Sequence, residues 1–210
     1  MKGLFLFGAM CDITVWDEVR PRLNAPALFL SYPHSVTRTA QNADSVAQWA
    51  ASACKGERFD FIVGHSMGGY VALRLAAMLE RPPEKIILLE SNPVPSGPFY
   101  RNLMTDAHMA LLGGRVRQML DGERPYYADA LLSSLRDGFD DTGRVLSFPG
   151  EVHALYGDRG RPDAPQAMSD LQLTQPALKK MQISFIPDSC HLPMLENPAA
   201  LSEKINQITD

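Results

Sequence analysis

Six short apolar runs, at 3–7, 27–31, 59–63, 85–89, 152–156 and 182–186, punctuate this chain. A strand with one wet face alternates polar and apolar residues, whereas a strand covered on both faces is apolar almost throughout. These runs are of the second kind. Between them lie stretches with helical spacing. Residues 39–54 place Ala40, Ala43, Val46, Ala47 and Ala50 on one face, and 67–79 are apolar nearly all round. Residues 197–208 repeat Leu201, Ile205 and Ile208, with Pro198 suited to a first helical turn. Alternation of this kind predicts a doubly wound α/β domain with a mostly parallel sheet of about six strands. One segment departs from it. Residues 98–149 hold no strand pattern but three helix-like pieces, near 102–112, 115–120 and 127–135, which read as a small helical cap inserted into a single domain spanning 1–210.

Composition narrows the function. Of 210 residues, 45% are hydrophobic and 21% charged, which excludes a disordered chain. A net charge of -4 offers no basic footprint for nucleic acid. Cys11, Cys54 and Cys190 form no C-x-x-C pair and no metal-ligand spacing, so free thiols in a reducing cytoplasm are expected. The opening MKGLFLFGAMC imitates a short signal peptide, but Met10 is too bulky for a cleavage site and the apolar run serves as the first core strand. No run approaches the roughly 18 apolar residues of a membrane span. The expectation is a cytoplasmic protein with no membrane partner.

The chemistry concentrates in FIVGHSMGGYVALRLAA, residues 61–77. An apolar strand stops at Gly64, turns through His65, Ser66 and Met67, and restarts at once as an apolar helix. A turn this tight tolerates no side chain beside the serine, so Gly64 and Gly68 remove the Cβ atoms that would collide. Ser66 is thereby exposed at the carboxyl edge of the sheet and at a helix N-terminus, where the Met67 N–H and the helix dipole favour a developing oxyanion.

With a full strand before it and a full helix after it, this G-x-S-x-G is a nucleophile elbow, and the chain resembles the α/β-hydrolase superfamily over nearly its whole length. FLFGAMCDITVWDEVRPRL looks like that family's first core strand and oxyanion loop, with Phe7-Gly8 in place of His-Gly and Trp16 fitting a family tryptophan. The resemblance implies Ala9 N–H as a second oxyanion donor beside Met67 N–H. PDSCHLPMLENPAAL resembles the catalytic-histidine loop and implies His191 as the base, with Cys190 in place of the usual glycine.

The acid departs from the common pattern. After the penultimate strand, YGDRGRPDAP has Gly160 where the family's aspartate stands, with Asp158 and Asp163 out of register. Another branch of the superfamily, which includes the haloalkane dehalogenases, carries its acid at the end of the strand after the elbow helix, and KIILLESNPVP puts Glu90 there. Glu90 is the first choice, with Asp163, Asp158 or no acid at all as the alternatives. Serine at the elbow does not imply that branch's dehalogenation.

The expected activity is that of a carboxylesterase-like serine hydrolase. It would cleave a small-molecule ester, or a thioester, through an acyl-enzyme on Ser66, without metal or organic cofactor. Met104, Met109, Met119, Leu103, Leu111, Leu112, Tyr126 and Tyr127 suggest an apolar cap lining, although ordinary helix packing is the better account of most of them. The rival readings are a binding protein with little turnover on the same fold, and a lyase or carbon–carbon hydrolase using the same triad.

Overall fold

The computed structural model describes residues 1–136, 139–161 and 163–210. The apolar runs form strands β1 (Gly3–Leu6), β2 (Ala27–Leu30), β3 (Phe61–His65), β4 (Lys85–Leu89), β5 (Glu151–Gly157) and β6 (Met181–Ile186). All six pair in parallel, in the order β2-β1-β3-β4-β5-β6. Register pairs Leu6 with Gly64, Gly64 with Leu88, and Leu89 with Leu155, so the carboxyl ends of the central strands finish at one edge. β1, β3 and most of β4 are buried, which is why their sequences do not alternate. β2, at the sheet edge, is half-buried throughout. The strand order reverses between β1 and β3, and the crevice at such a switch point is where open α/β sheets bind ligands.

The helices are α1 (His34–Thr37), α2 (Ala43–Ala53), α3 (Met67–Ala76), α4 (Asp106–Glu123), α5 (Asp129–Ser134), α6 (Thr142–Ser147), α7 (Gln175–Lys180), α8 (Pro193–Glu196) and α9 (Pro198–Thr209). The helix expected from residue 39 starts later. Asn42 caps it by accepting the Ser45 N–H at 3.1 Å, and the residues before it form α1 and a turn. The pieces expected at 102–112 and 115–120 are the single helix α4, begun by the Thr105 cap and continuous through Gly113 and Gly114. Each interior glycine costs a helix about 1 kcal/mol and does not by itself break it, and Val116 just beyond is buried. The short helices α6 and α7 span six residues each, too few to show a period in sequence.

Several contacts tie the helical segment between β4 and β5 to the body. Ala128 N–H donates to Thr37 O at 3.0 Å, and Thr37 Oγ donates to Tyr126 O at 2.6 Å. The His34 ring stacks on Tyr126 at 3.7 Å. On the other side Arg74 of α3 pairs with Asp141 at 2.7 Å.

Candidate active site

Ser66 links β3 directly to α3 with φ 51° and ψ -120°, a backbone conformation that L-residues rarely adopt. Surrounding structure holds it there. The Ser66 N–H donates to Leu89 O at 2.9 Å, and Ser91 Oγ donates to Ser66 O at 2.8 Å. A Cβ on Gly64 would strike the Gly68 carbonyl, and one on Gly68 would strike the Leu6 carbonyl. Backbone fills both spaces, so neither glycine is replaceable without moving a strand.

The loop after β1 lies against the elbow. A Cβ on Gly8 would stand 2.8 Å from His65 Nδ1 and 3.0 Å from the Ser66 Cβ. Ala9 therefore follows at the serine, and Met10 turns the chain away with φ 60°. Among the described residues, neither the Ala9 nor the Met67 N–H donates to a backbone acceptor. Trp16, fully buried, packs edge-on against Phe5 with centroids 5.3 Å apart, anchoring that loop.

His191 comes from the loop between β6 and α8. Three contacts fix it. Its N–H donates to Leu103 O at 3.1 Å, and its carbonyl accepts from His65 Nε2 at 2.8 Å. Glu196 accepts the N–H groups of Cys190 (2.7 Å) and Leu192 (3.3 Å) on one carboxylate oxygen and that of Thr105 (2.9 Å) on the other. The bond to a carbonyl places the His65 proton on Nε2. Its Nδ1 is buried without a partner among the described residues, and burial, with His191 opposite, pushes its pKa down to about 3. His65 is thus a neutral strut beneath the histidine loop.

Of the three candidate acids, Glu90 is the one that meets His191. It follows β4 with φ 48°, and its Oε2 lies 3.5 Å from His191 Nδ1. The carboxylate is 2% exposed and the imidazole 31%, so the ring spans from the interior to open space. Asp163 is instead paired with Arg161 at 2.6 Å at the surface, and Asp158 accepts the Gly160 N–H at 2.8 Å.

Sequence reasoning missed Arg159. Its guanidinium grips Glu90 with both ends, Nη1 to Oε1 at 2.6 Å and Nη2 to Oε2 at 2.7 Å, and the Gly157 N–H adds a bond to Oε1 at 2.5 Å. Burial alone would raise the Glu90 carboxyl, but the Arg159 charge and the hydrogen bonds from His191 and Arg159 outweigh it and hold the group below the usual glutamate range. No local pattern marks this pair, whose members lie 69 residues apart.

A cavity of about 530 Å³ includes Ser66, Glu90 and His191 in its lining, with Val94, Pro95, Leu103, Leu135 and Phe139 among the other walls. The expected methionine lining is not found among the described residues. Met104 is buried in the core and Met109 is exposed, because their faces of the segment point elsewhere. Leu103 is the only one of the eight residues proposed for that lining that reaches the cavity among the described residues. Ser66 Oγ and His191 share the cavity, with no hydrogen bond between them among the described residues. Burial pushes the Cys11 and Cys190 thiols up to about 12, so neither competes as a nucleophile. No cluster of potential metal ligands occurs among the described residues, and no helix there is long and apolar enough to cross a membrane.

Comparison with known proteins agrees with this architecture. An esterase of Mycobacterium tuberculosis is 31% identical over 44% of this chain, a match spanning 33% of the relative's own length. A thermophilic esterase from Thermogutta terrifontis superposes with a TM-score of 0.77 at 18% identity, covering 100% of this chain and 89% of that one. A hydrolase from Oleispira antarctica gives 0.74 at 12%, covering 99% and 90%. At these identities the structural likeness shows the fold. The profile of the alpha/beta hydrolase family matches residues 14–204, nearly the full length, and the chain belongs to that family.

Proposed function

We propose that this protein is a serine hydrolase that cleaves a small carboxylic ester through an acyl-enzyme on Ser66. The observation that carries the reading is the convergence of a strained, cavity-facing serine with a histidine whose Nδ1 meets a buried carboxylate. With Nδ1 held by Glu90, His191 Nε2 is left to take the Ser66 proton as Oγ attacks the ester carbonyl. The carbonyl π electrons move to oxygen, and the Ala9 and Met67 N–H groups receive that oxyanion. Collapse of the tetrahedral intermediate breaks the bond to the alcohol, which leaves with the proton from His191. Water then repeats the sequence on the acyl-enzyme. Glu90 stabilises the imidazolium in both halves. No step calls for a metal or organic cofactor. A thioester follows the same course with a thiol as leaving group.

The experiment is labelling with a fluorophosphonate, then turnover of nitrophenyl esters graded in acyl length. Labelling is expected at Ser66 alone, and Ser66→Ala should lose both label and hydrolysis while staying folded. A folded wild-type protein that takes no label and turns over no ester would instead favour a binding protein on this fold. Labelling without ester turnover would favour the lyase or carbon–carbon hydrolase reading.

A further inference from the structure

We propose that Arg159 is a positioning residue of the catalytic site, a fourth member that clamps Glu90 in its ionised form at the angle His191 needs. The inference rests on the triad just proposed, but its first readout below does not depend on turnover.

The geometry is that of a clamp. The guanidinium is 2% exposed and meets the carboxylate in two parallel bonds, 2.6 and 2.7 Å long. Such a fork fixes the plane of a carboxylate as well as its place, which a lone cation does not do. Arg159 is itself held. Its own N–H donates to Ser189 O at 2.8 Å, and Nη1 and Nη2 also donate to Gly157 O (2.6 Å) and Tyr100 O (3.0 Å). The Tyr100 ring lies 4.8 Å from the guanidinium carbon. Arg159 also has φ 59°, beside the position where the family resemblance implied an aspartate and this chain has Gly160. The left-handed turn is what brings the arginine back under Glu90. The chain thus supplies a cation from the loop after β5 and takes its acid from the end of β4.

Two consequences follow. Oε2 is the oxygen nearest His191, and Arg159 Nη2 holds that same oxygen, so loss of the fork frees the carboxylate to rotate away from the imidazole. Secondly, burial opposes the charged form of Glu90, and Arg159 is the cation that offsets it. Among the described residues, the other titratable groups around Glu90 and His191 include His65 from the elbow, Tyr70, Tyr100, Tyr156, Asp158 and Cys190; Arg101 and Arg136 line the same cavity, but neither bonds to Glu90. Glu196, with His108 beside it at 3.4 Å, lies under the histidine loop. Of these, His65 is neutral, the tyrosines and Cys190 are held neutral, and Glu196 accepts backbone N–H groups. None replaces the charge of Arg159.

The test compares wild type, Arg159→Met and Arg159→Lys. The first readout is the ¹³C NMR titration of the Glu90 carboxyl. It should protonate below the ordinary glutamate range in wild type and in Arg159→Lys, and at least about one pH unit higher in Arg159→Met, where burial is unopposed. The second readout is steady-state hydrolysis. Arg159→Lys keeps the charge without the fork and should lower kcat about tenfold with KM within about threefold. An arginine that only braced the loop would lower the melting temperature and leave kcat of folded Arg159→Lys at the wild-type value. An unmoved Glu90 titration in folded Arg159→Met overturns the proposal whatever the activity. If that variant does not fold, wild-type kcat in Arg159→Lys overturns it. Wild type inactive on every ester, with Glu90 still titrating as described, leaves the clamp in place and removes only the ester-hydrolase reading.

Discussion

At the scale of single residues, strain at Ser66 and burial of His65 make the sharpest predictions. Left-handed conformations at non-glycine residues cost on the order of 1–3 kcal/mol, offset in part by the extra freedom glycine has when unfolded. Ser66→Gly should therefore raise unfolding free energy by about 1 kcal/mol in urea while abolishing turnover. A destabilised Ser66→Gly would mean the elbow stores no strain. His65 carries a pH signature. Its folded pKa of about 3 lies below the unfolded value near 6.5. In that window the unfolded chain binds a proton that the folded one refuses, so stability falls as pH drops from about 6.5 towards 3. The slope reaches about 1.4 kcal/mol per pH unit well inside the window. His65→Gln retains a donor for the His191 carbonyl without the titration, and denaturation at pH 4 and 7 should show the difference shrinking. Ser66 and His191 were readable in sequence because their neighbours, glycines in one case and Glu196-x-Pro198 in the other, are local. Arg159 was not, because its meaning comes from a carboxylate far away in the chain.

At the scale of elements, the strands were legible within a residue or two, since burial on both faces writes itself as a continuous apolar run. The helices between β4 and β5 were less so. Gly113 and Gly114 suggested a break in α4 that tertiary packing overrides, and α6 is too short to carry a period. The histidine loop is an element whose position depends in part on one buried side chain. Glu196, whose carboxylate is fully buried, receives three backbone N–H groups from that loop and from the segment ahead of α4. An amide turns donors towards one of these donors. Glu196→Gln should cost about 1–3 kcal/mol and lower kcat about tenfold, because the loop that carries His191 loses its tether to Thr105. Thermal denaturation and steady-state kinetics on the same preparation check both. A stability loss with unchanged kcat would show that His65 and Leu103 alone hold the histidine.

At the scale of the whole molecule, the sheet gathers groups from three loops at one edge: Ser66 after β3, Glu90 after β4 and His191 after β6. Residues of the segment between β4 and β5, among them Val94, Leu103, Leu135 and Phe139, wall an open cavity of about 530 Å³ beside them. That size suits short to medium acyl chains, so butyrate esters should be turned over faster than long-chain glycerides, and the reverse order would refute this account of the cavity. The doubly wound class was legible from the alternation of strands and helices. The cavity walls were not, because among the described residues they come from positions outside α4, such as Val94, Pro95, Leu103, Leu135 and Phe139, which helical spacing does not single out. The central claim is that Glu90 completes the site with Ser66 and His191, and kcat of Glu90→Gln measured beside Asp163→Asn tests it most directly. Loss of a carboxylate behind a catalytic histidine reaches about 10⁴-fold in rate. Glu90→Gln, folded by circular dichroism, should lose at least roughly a hundredfold in kcat with little change in KM, while Asp163→Asn stays within about tenfold of wild type. Near-normal turnover in Glu90→Gln with collapse in Asp163→Asn would contradict the account.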